Sequence, residues 1–347
     1  MRRHLLALSF GFCLHAIDAG GVLGAQPADT PQVIRVGMIG LDTSQVPAFT
    51  KIFNKENAEG NFAKLKVVAG YPGGTDIPAS RDRVAGFTEQ IRGMGVEIVQ
   101  TIPELLERVD VVLLESVDGR IHLEEAVPVI LAGKPLFIDK PAAGSLADTI
   151  AIYDLAKKHG VPIFSSSSLR YSPSIQELLT DESLGEIVGA VTWGPCSYQS
   201  GIPDLFFYGV HGVEMLYALM GTGCETVTRL DSPDADVVSG RWSDGRIGTY
   251  RGIRKHAAPF GAIAFGTKAV KPAERTGGYQ ELCEQIAEFF VSGKSPVDAE
   301  TTIELFAFME ASDESKRLGG QPVSIPASIA AAREASVGRL AEFLPAE

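Results

Sequence analysis

Short apolar runs alternate with amphipathic segments along the first half of the chain. The runs, which predict buried strands, cover residues 33–40, 65–69, 96–99, 109–114, 136–138 and 161–164. The segments between them, which predict helices, cover residues 46–57, 80–92, 121–131 and 146–158, with a further helix opened by Thr101 and Pro103. Strands and helices that alternate in this way are typical of a parallel, doubly wound sheet with right-handed crossovers.

The pattern changes after residue 168. Longer segments of alternating or β-branched character cover residues 187–193, 226–230, 236–242, 246–251 and 262–265. Helical patterns fall at residues 174–179, 213–220, 280–291 and 302–317. We therefore predict an α/β protein with a Rossmann-type dinucleotide-binding domain at 32–168 and a C-terminal α+β domain at 169–347. The second domain is expected to hold a mostly antiparallel open sheet for substrate binding and oligomerisation.

The N-terminus has the three parts of an export signal. Arg2, Arg3 and His4 form a basic region, residues 5–14 are apolar, and small residues precede Gln26. This pattern predicts a signal peptide at residues 1–25 and a periplasmic or secreted protein. The paired arginines also weakly resemble a twin-arginine signal, so the export route stays open.

Composition narrows the range of partners. The net charge is −12 and no long Lys/Arg block occurs, which argues against nucleic acid and anionic membranes as partners. No apolar segment after the N-terminus is long enough to span a bilayer. Cys196, Cys224 and Cys283 lie far apart and lack close metal-site spacing, so no metal site is predicted.

The most informative stretch is residues 135–141, which read Pro-Leu-Phe-Ile-Asp-Lys-Pro. Its apolar run predicts a parallel strand, so Asp139 and Lys140 lie at the strand's carboxyl end, where open α/β sheets bind ligands. A lysine in such a cleft can donate a proton or stabilise an oxyanion. The alternative is a surface lysine that merely follows a strand.

The turn after the first strand partly matches a dinucleotide fingerprint. Gly40 takes the first glycine position, whereas Asp42 and Gln45 take the second and third. A carboxylate at the second position would repel phosphates. Either Asp42, Thr43 or Ser44 only caps the next helix, or the free amides at the start of that helix bind an anion through altered contacts.

Cofactor preference would normally be indicated by an acid at the end of the second strand. None occurs there, and the nearest candidate, Asp76, comes several residues later. Arg81 and Arg83 follow it, and an arginine can favour a 2′-phosphate. Both fall in a helix that we expect to be exposed, so we interpret them as solvated and leave NAD or NADP undecided.

Polar residues also follow the fourth strand. Ser116 and Asp118 could bind a ribose or the backbone, and His122 begins the following helix, where its neutral form is favoured. A capping or packing role for His122 is the competing interpretation.

A second candidate centre surrounds His211. Glu214 lies three residues later, on the same face of a predicted helix, and could orient His211 as a general acid or base. A structural histidine is the alternative. Tyr208, just before the helix, and Arg170 and Tyr171, at the domain junction, are candidate substrate-binding residues.

Several of these motifs together resemble the glucose–fructose oxidoreductase/inositol dehydrogenase family. They are the strand ending at Gly40, residues 110–122, residues 132–141 and Gly209-Val210-His211. The family's Glu-Lys-Pro element appears here as Asp139-Lys140-Pro141. The sequence departs from the family at three positions: Asp42 and Gln45 replace glycines, and Phe207 stands where many members carry Asp.

The resemblance implies a fold, a cofactor and an activity. It implies an N-terminal Rossmann domain, a C-terminal domain with an open sheet, and hydride transfer between NAD(P) and a sugar, polyol or related carbonyl compound. Lys140 would contact substrate and nicotinamide, and His211 would transfer the proton. Gly40, Asp42, Thr43, Ser44, Ser116, Asp118, His122 and Asp139 would contact the cofactor.

We therefore expect an NAD(P)-dependent oxidoreductase that acts on a sugar, polyol or sugar derivative. An exported member would hold its NAD or NADP tightly, because free nucleotide is scarce outside the cytoplasm. One alternative is an NAD-retaining glycoside hydrolase, and another is a non-catalytic sugar- or anion-binding protein. If the open sheet face is apolar, we expect a second copy to cover it in a homo-oligomer.

Overall fold

The computed structural model describes residues 33–273 and 277–344. The predicted signal peptide at residues 1–25 lies outside the described residues. Among the described helices, none is both long enough and apolar enough to cross a membrane.

The first sheet contains six parallel strands in the order β3-β2-β1-β4-β5-β6. The strands are β1 (Ile34–Ile39), β2 (Leu65–Tyr71), β3 (Glu97–Ile98), β4 (Val111–Leu114), β5 (Leu136–Asp139) and β6 (Ile163–Ser166). The helices between and after them are α1 (Gln45–Phe53), α2 (Pro78–Arg81), α3 (Val84–Gly93), α4 (Ile102–Leu106), α5 (His122–Leu131), α6 (Leu146–His159) and α7 (Pro173–Thr180). All six predicted strands are present, and the order confirms the doubly wound sheet.

Both faces of this sheet are buried, as a parallel sheet requires. Along β4, Val111 and Leu113 join the core that contains Phe49 of α1, whereas Val112 and Leu114 join a second core on the other face. The alternation follows from the period-2 geometry of a strand. Helices must therefore cover both faces.

The second sheet contains seven strands in the order β12-β11-β7-β10-β9-β8-β13. They are β7 (Ile187–Pro195), β8 (Cys224–Asp231), β9 (Ala235–Trp242), β10 (Ile247–Ile253), β11 (Gly261–Gly266), β12 (Val270–Ala273) and β13 (Val323–Ser324). The sheet is mixed rather than wholly antiparallel, because β10 pairs with β7 in parallel. The remaining pairs are antiparallel, which confirms the mostly antiparallel prediction.

The remaining helices are α8 (Asp204–Phe207), α9 (Val210–Met220), α10 (Gln280–Ser292), α11 (Ala299–Arg317) and α12 (Ile325–Ala341). Helix α9 packs on the second sheet, where the Thr192 hydroxyl donates to the Gly212 carbonyl at 2.9 Å. Helix α10 packs against the first sheet through Phe289, whose ring centroid lies 4.9 Å from that of Phe164. The C-terminal helices thus return to the first sheet, as the sequence pattern allows.

One helix prediction is wrong in detail, and one helix was missed. The predicted helix at 80–92 is divided into α2 and α3, with Asp82 and Arg83 between them. Helix α12 was not predicted, because its buried positions include small residues, Ala332 and Ser336, that give little hydrophobic periodicity. The proposed domain boundary between residues 168 and 169 stays a prediction.

Candidate active site

A cavity of about 400 Å³ lies at the carboxyl ends of the strands of the first sheet. Its walls come from the segments that follow five strands, β1, β2, β4, β5 and β6. Helices α8 and α9, the loop before β11 and residues 277–279 before α10 complete the described lining. The described polar and aromatic lining residues are Thr43, Ser44, Gln45, Arg83, Lys140, Ser168, Phe207, Tyr208, His211, Phe260 and Tyr279. Lys140 and His211, predicted independently from two motifs, therefore face one cavity.

Lys140 enters the cavity as a protonated amine. Its Nζ donates to Asp139 Oδ2 at 2.7 Å, and the side chain is only 11% exposed. Burial alone would lower the pKa of Lys140, but the adjacent Asp139 carboxylate outweighs burial and raises it above its ordinary value. Gln45 donates to the same Asp139 oxygen at 3.1 Å, which fixes the carboxylate from its other side.

His211 enters the cavity as a neutral imidazole. Burial, assisted by the charge of Lys140, lowers the pKa of His211 well below its ordinary value. Its Nδ1 lies 2.7 Å from Ser167 Oγ, which itself accepts from the backbone amide of Leu169. The position of the ring is therefore set from the loop after β6, and Nδ1 is the nitrogen engaged there.

Aromatic rings surround His211. The ring centroid of Tyr208 lies 5.1 Å from that of His211, and the ring centroid of Phe260 lies 5.7 Å from it. Tyr208 and Phe260 stack with an interplanar angle of 17°. Phe207 also lines the cavity at this end. The result is an apolar wall with one imidazole and one ammonium group, which suits a small ligand that has both apolar and polar faces.

The loop after β1 is largely covered by protein. Gly40, with a φ of 79°, packs so closely on the Ser116 backbone that a Cβ would overlap it. Asp42 is buried, and its Oδ1 accepts from the Val117 amide at 2.8 Å, so the carboxylate joins the loops after β1 and β4. Burial raises the pKa of Asp42. Within the loop, Ser44 is exposed and Thr43 reaches the cavity.

Further carboxylates are buried beside this loop. Glu115 is fully buried, and neither of its carboxylate oxygens makes a well-formed hydrogen bond to a described residue. Burial, together with the charge of Asp139, raises the pKa of Glu115 well above its ordinary value. Glu125 accepts from the Ser116 hydroxyl at 2.6 Å, and burial raises its pKa to about 8. Burial thus disfavours the charged form of each of these carboxyl groups.

The structure does not bring Ser116, Asp118 and His122 to the cavity. All three are buried. Asp118 pairs with Arg120 at 2.6 Å, and both His122 ring nitrogens face backbone carbonyls, with Nε2 2.7 Å from Ser116 O. Burial lowers the pKa of His122. Their contacts are those of packing residues, and their cofactor-binding roles stay predictions.

Arg170, Tyr171 and Glu214 likewise lie outside the described lining of the cavity. Glu214 accepts from Arg170 Nε at 2.6 Å, in a buried pair. The proposed orientation of His211 by Glu214 is therefore wrong in this structure, since Ser167 contacts the imidazole instead. Burial raises the pKa of Tyr171 to about 12. Their substrate-binding roles stay predictions.

Sequence reasoning missed several residues that line or support the cavity. Tyr279, just before α10, lines the cavity far from the other motifs in sequence, and its hydroxyl lies 3.0 Å from Ser44 Oγ. Phe260 lies in the loop between β10 and β11, where the sequence has no strand or helix periodicity that could indicate burial. Arg83 was interpreted as solvated because the break between α2 and α3 was not recognised. Ser167, which contacts His211, lies in a run of four serines at residues 165–168 that the sequence analysis did not connect with His211.

The fold is shared with solved dehydrogenase structures. Scyllo-inositol dehydrogenase from Lactobacillus casei, solved with bound NAD(H) and scyllo-inositol, is 14% identical with a TM-score of 0.67, covering 85% of this chain and 100% of that chain. Myo-inositol 2-dehydrogenase from Lactobacillus plantarum is 15% identical with a TM-score of 0.70, covering 84% and 99%. GenD2 from gentamicin A biosynthesis, in complex with NAD, is 17% identical with a TM-score of 0.68, covering 87% and 99%.

No family model and no curated protein sequence matches the chain. At the identities found, the structural similarity establishes the fold. That fold is the two-sheet architecture of these inositol dehydrogenases, which confirms the architecture predicted from the resemblance.

Proposed function

We propose that the chain is an NAD(P)-dependent oxidoreductase that transfers hydride between the nicotinamide and a sugar, polyol or sugar derivative. The observation that carries this proposal is that Lys140 and His211 line one cavity at the carboxyl edge of a doubly wound sheet. That edge is where such sheets bind nucleotides. The structures with this fold that were solved with NAD or NAD(H) support the choice of cofactor.

The cavity contains groups that suit a nucleotide. Thr43 lines the wall, and its buried hydroxyl makes no well-formed hydrogen bond to a described residue. Ser44 and Arg83 line the same cavity and can contact phosphate oxygens. Asp42 departs from the usual loop, so side chains, rather than the amides of a glycine-rich turn, would hold the phosphates. The nicotinamide, when bound, supplies the hydride acceptor.

The two catalytic candidates divide the acid–base chemistry. In the oxidation direction, the neutral His211 accepts the hydroxyl proton of the substrate. The Lys140 ammonium donates a hydrogen bond to the same oxygen and stabilises its developing negative charge. Asp139 keeps Lys140 protonated and directs its Nζ, and Ser167 holds the His211 ring. The aromatic wall of Tyr208 and Phe260 would face the apolar side of a sugar ring.

Turnover of a polyol panel with NAD and NADP tests this proposal. We expect Lys140→Ala to lower kcat/KM by roughly 100-fold or more and His211→Ala by a similar factor. Lys157→Ala, on the exposed side of α6, is the matched control and should leave kcat/KM unchanged. Activity that survives both cavity substitutions would overturn the proposal.

A sugar-binding protein without nucleotide is the second candidate. It is favoured by the burial of the β1 loop and by the use of the Val117 amide by Asp42. Protein purified without added nucleotide, denatured and assayed for NAD(H) and NADP(H), separates the two candidates. Near-equimolar release supports the oxidoreductase, whereas an empty protein that also shows no thermal shift with either nucleotide supports the binding protein.

A further inference from the structure

The cavity walls around His211 are mainly apolar. The rings of Tyr208 and Phe260 contact the imidazole, with centroid distances of 5.1 and 5.7 Å. Phe207 lies beside Tyr208 at a centroid distance of 6.5 Å, and Leu169 lines the same cavity. Tyr208 is 37% exposed and Phe260 is partly exposed, so their apolar surface is open to a ligand. A substrate that reacts at His211 therefore has this apolar wall as its neighbour.

Aromatic rings alone do not identify the substrate, because they pack against the C–H face of a sugar as well as against a hydrocarbon ring. The hydrogen-bonding groups of the wall distinguish the two. A hydroxyl that enters a closed site loses its water, and a protein group must replace that water as its partner. Carboxylates and side-chain amides are the groups that can serve several hydroxyls at once.

The described lining of the cavity contains no carboxylate. Its one side-chain amide, that of Gln45, is already engaged on both sides. The amide nitrogen donates to Asp139 Oδ2 at 3.1 Å, and the amide oxygen accepts from Ser44 Oγ at 3.2 Å. Glu214, which α9 also carries, pairs with Arg170 at 2.6 Å outside the described lining. The groups that usually serve a hydroxyl-rich ligand are therefore engaged with protein.

Only a few polar groups of the described lining are left for the substrate. The two catalytic candidates are used by the reacting oxygen, and Ser168 and Tyr208 add one hydroxyl each. The hydroxyl of Tyr279 lies 3.0 Å from Ser44 Oγ. The proposed function assigns three further residues to the nucleotide, namely Thr43, Ser44 and Arg83. This set can serve one or two additional oxygens of a substrate, but not a hydroxyl on every carbon of a ring.

We propose that the substrate is a cyclic secondary alcohol, or its ketone, with few free hydroxyl groups, such as a deoxygenated or O-alkylated sugar derivative, rather than a fully hydroxylated polyol. This inference rests on the proposed function, because it names the substrate class of the same site. The alcohol carbon loses hydride to NAD(P)⁺ and its hydroxyl proton passes to His211, which leaves a ketone and NAD(P)H. The apolar part of the ring packs on Tyr208 and Phe260.

Turnover of a series of cyclitols by the full chain, with NAD and with NADP, tests the assignment. Myo-inositol, a deoxyinositol and cyclohexane-1,2-diol share one carbocycle and carry progressively fewer hydroxyls. We expect kcat/KM to rise along this series, by about 100-fold or more from myo-inositol to the diol, because an apolar pocket rejects even one added hydroxyl by roughly 100-fold. The wild-type series decides the proposal without any variant.

Phe260→Asn places a hydrogen-bonding group on the apolar wall. It should raise kcat/KM for myo-inositol relative to the diol by about tenfold or more. Phe260→Leu keeps the position apolar and should keep the wild-type preference, which separates the effect of the new amide from loss of the ring. Leu318→Asn, at a position that is 43% exposed beyond α11, is the matched control and should leave both rates unchanged.

Each other result has a defined meaning. A wild type that turns over myo-inositol as well as the diol, or better, would overturn this inference and leave the proposed function standing. An equal change for both substrates in Phe260→Asn would also overturn it, because Phe260 would then act only through the shape of the cavity. A folded chain that turns over neither the cyclitols nor the corresponding ketones with either nucleotide would defeat the proposed function itself, and this inference with it.

Discussion

Buried carboxylates distinguish this site at the scale of single residues. Asp42, Glu115 and Glu125 lie around the loops after β1 and β4, and burial raises the pKa of each. Their repulsion would be severe if all three were ionised together. Because the pKa of each group is raised, burial favours its uncharged form, which lowers the repulsion between the three.

Glu125 gives this conclusion a measurable consequence. The folded chain keeps Glu125 protonated up to about pH 8, whereas the unfolded chain loses that proton near pH 4.5. Between these values the folded state holds the extra proton, so the free energy of unfolding falls as pH rises, by up to about 1.4 kcal/mol per pH unit. We expect Glu125→Gln to flatten this decline when denaturant unfolding is measured from pH 5 to pH 8.

The substitution is conservative, because the amide oxygen of the replacement side chain can still accept from the Ser116 hydroxyl. Glu107→Gln, at an exposed position, is the control and should leave the pH dependence of the wild type intact. If the free energy of unfolding falls with pH equally in the wild type and in Glu125→Gln, then Glu125 is already ionised at neutral pH in the folded chain.

Individual side chains were predicted unevenly from the sequence. Lys140 and His211 stand in short motifs, and the structure places both on the cavity. The functions of Ser116 and His122 could not be separated from packing, because a buried hydrogen bond to the backbone leaves no periodic signal. The position of Tyr279 in the cavity could not be predicted from the sequence, since only the tertiary fold brings it beside Ser44.

At the scale of elements, Arg229 connects strand β8 to β9, α8 and α11 through ion pairs. It extends from β8, is fully buried, and contacts Asp236 of β9 at 3.0 Å and Asp204 of α8 at 2.7 Å. Asp313 of α11 also pairs with Arg229, and Arg254 and Lys316 pair with the same cluster of carboxylates. Because α8 also carries Phe207, this cluster helps to position one wall of the cavity.

Loss of Arg229 should therefore affect stability strongly. Arg229→Met leaves buried carboxylates with fewer partners, and we expect a loss of about 3 kcal/mol in the free energy of unfolding, measured with urea. Arg317→Met is the control, since Arg317 pairs with Glu314 on the exposed side of α11 and should cost no more than about 1 kcal/mol. Equal losses in the two variants would contradict the role assigned to the cluster.

The elements themselves were largely predictable. Apolar runs indicated every strand of the first sheet, since both faces of a parallel strand are buried. The break at Asp82 and Arg83 was not predicted, because its residues are compatible with a continuous helix. The parallel pairing of β7 with β10 also has no local signal, as register across a long connection is set by the whole sheet.

At the scale of the whole molecule, the second sheet has one face that the described part of the chain leaves partly uncovered. Helices α9 and α11 pack on the face that includes Tyr250 and Gly240. The other face includes Val191, Trp193 and Ile263, which are only partly buried, and Phe265, which is 37% exposed. A face with this many apolar side chains is more typical of an interface than of a monomer surface.

We propose that a second copy of the chain covers this face, as the sequence pattern also suggested. Light scattering of the purified chain should then give a dimer or a larger even assembly. Phe265→Glu places a charge on the face, and burial of an unpaired carboxylate in an apolar interface is strongly unfavourable. We expect this variant to shift the mass toward the monomer while circular dichroism stays unchanged.

Val337→Glu is the control for this change, because Val337 is 71% exposed on α12, away from the sheet face, and should leave the assembly intact. A monomeric wild type would show that the partly buried apolar side chains of this sheet are tolerated in water. If Phe265→Glu leaves the measured mass unchanged, the interface lies on another surface. An unpaired carboxylate buried in an apolar interface would weaken the assembly and lower that mass.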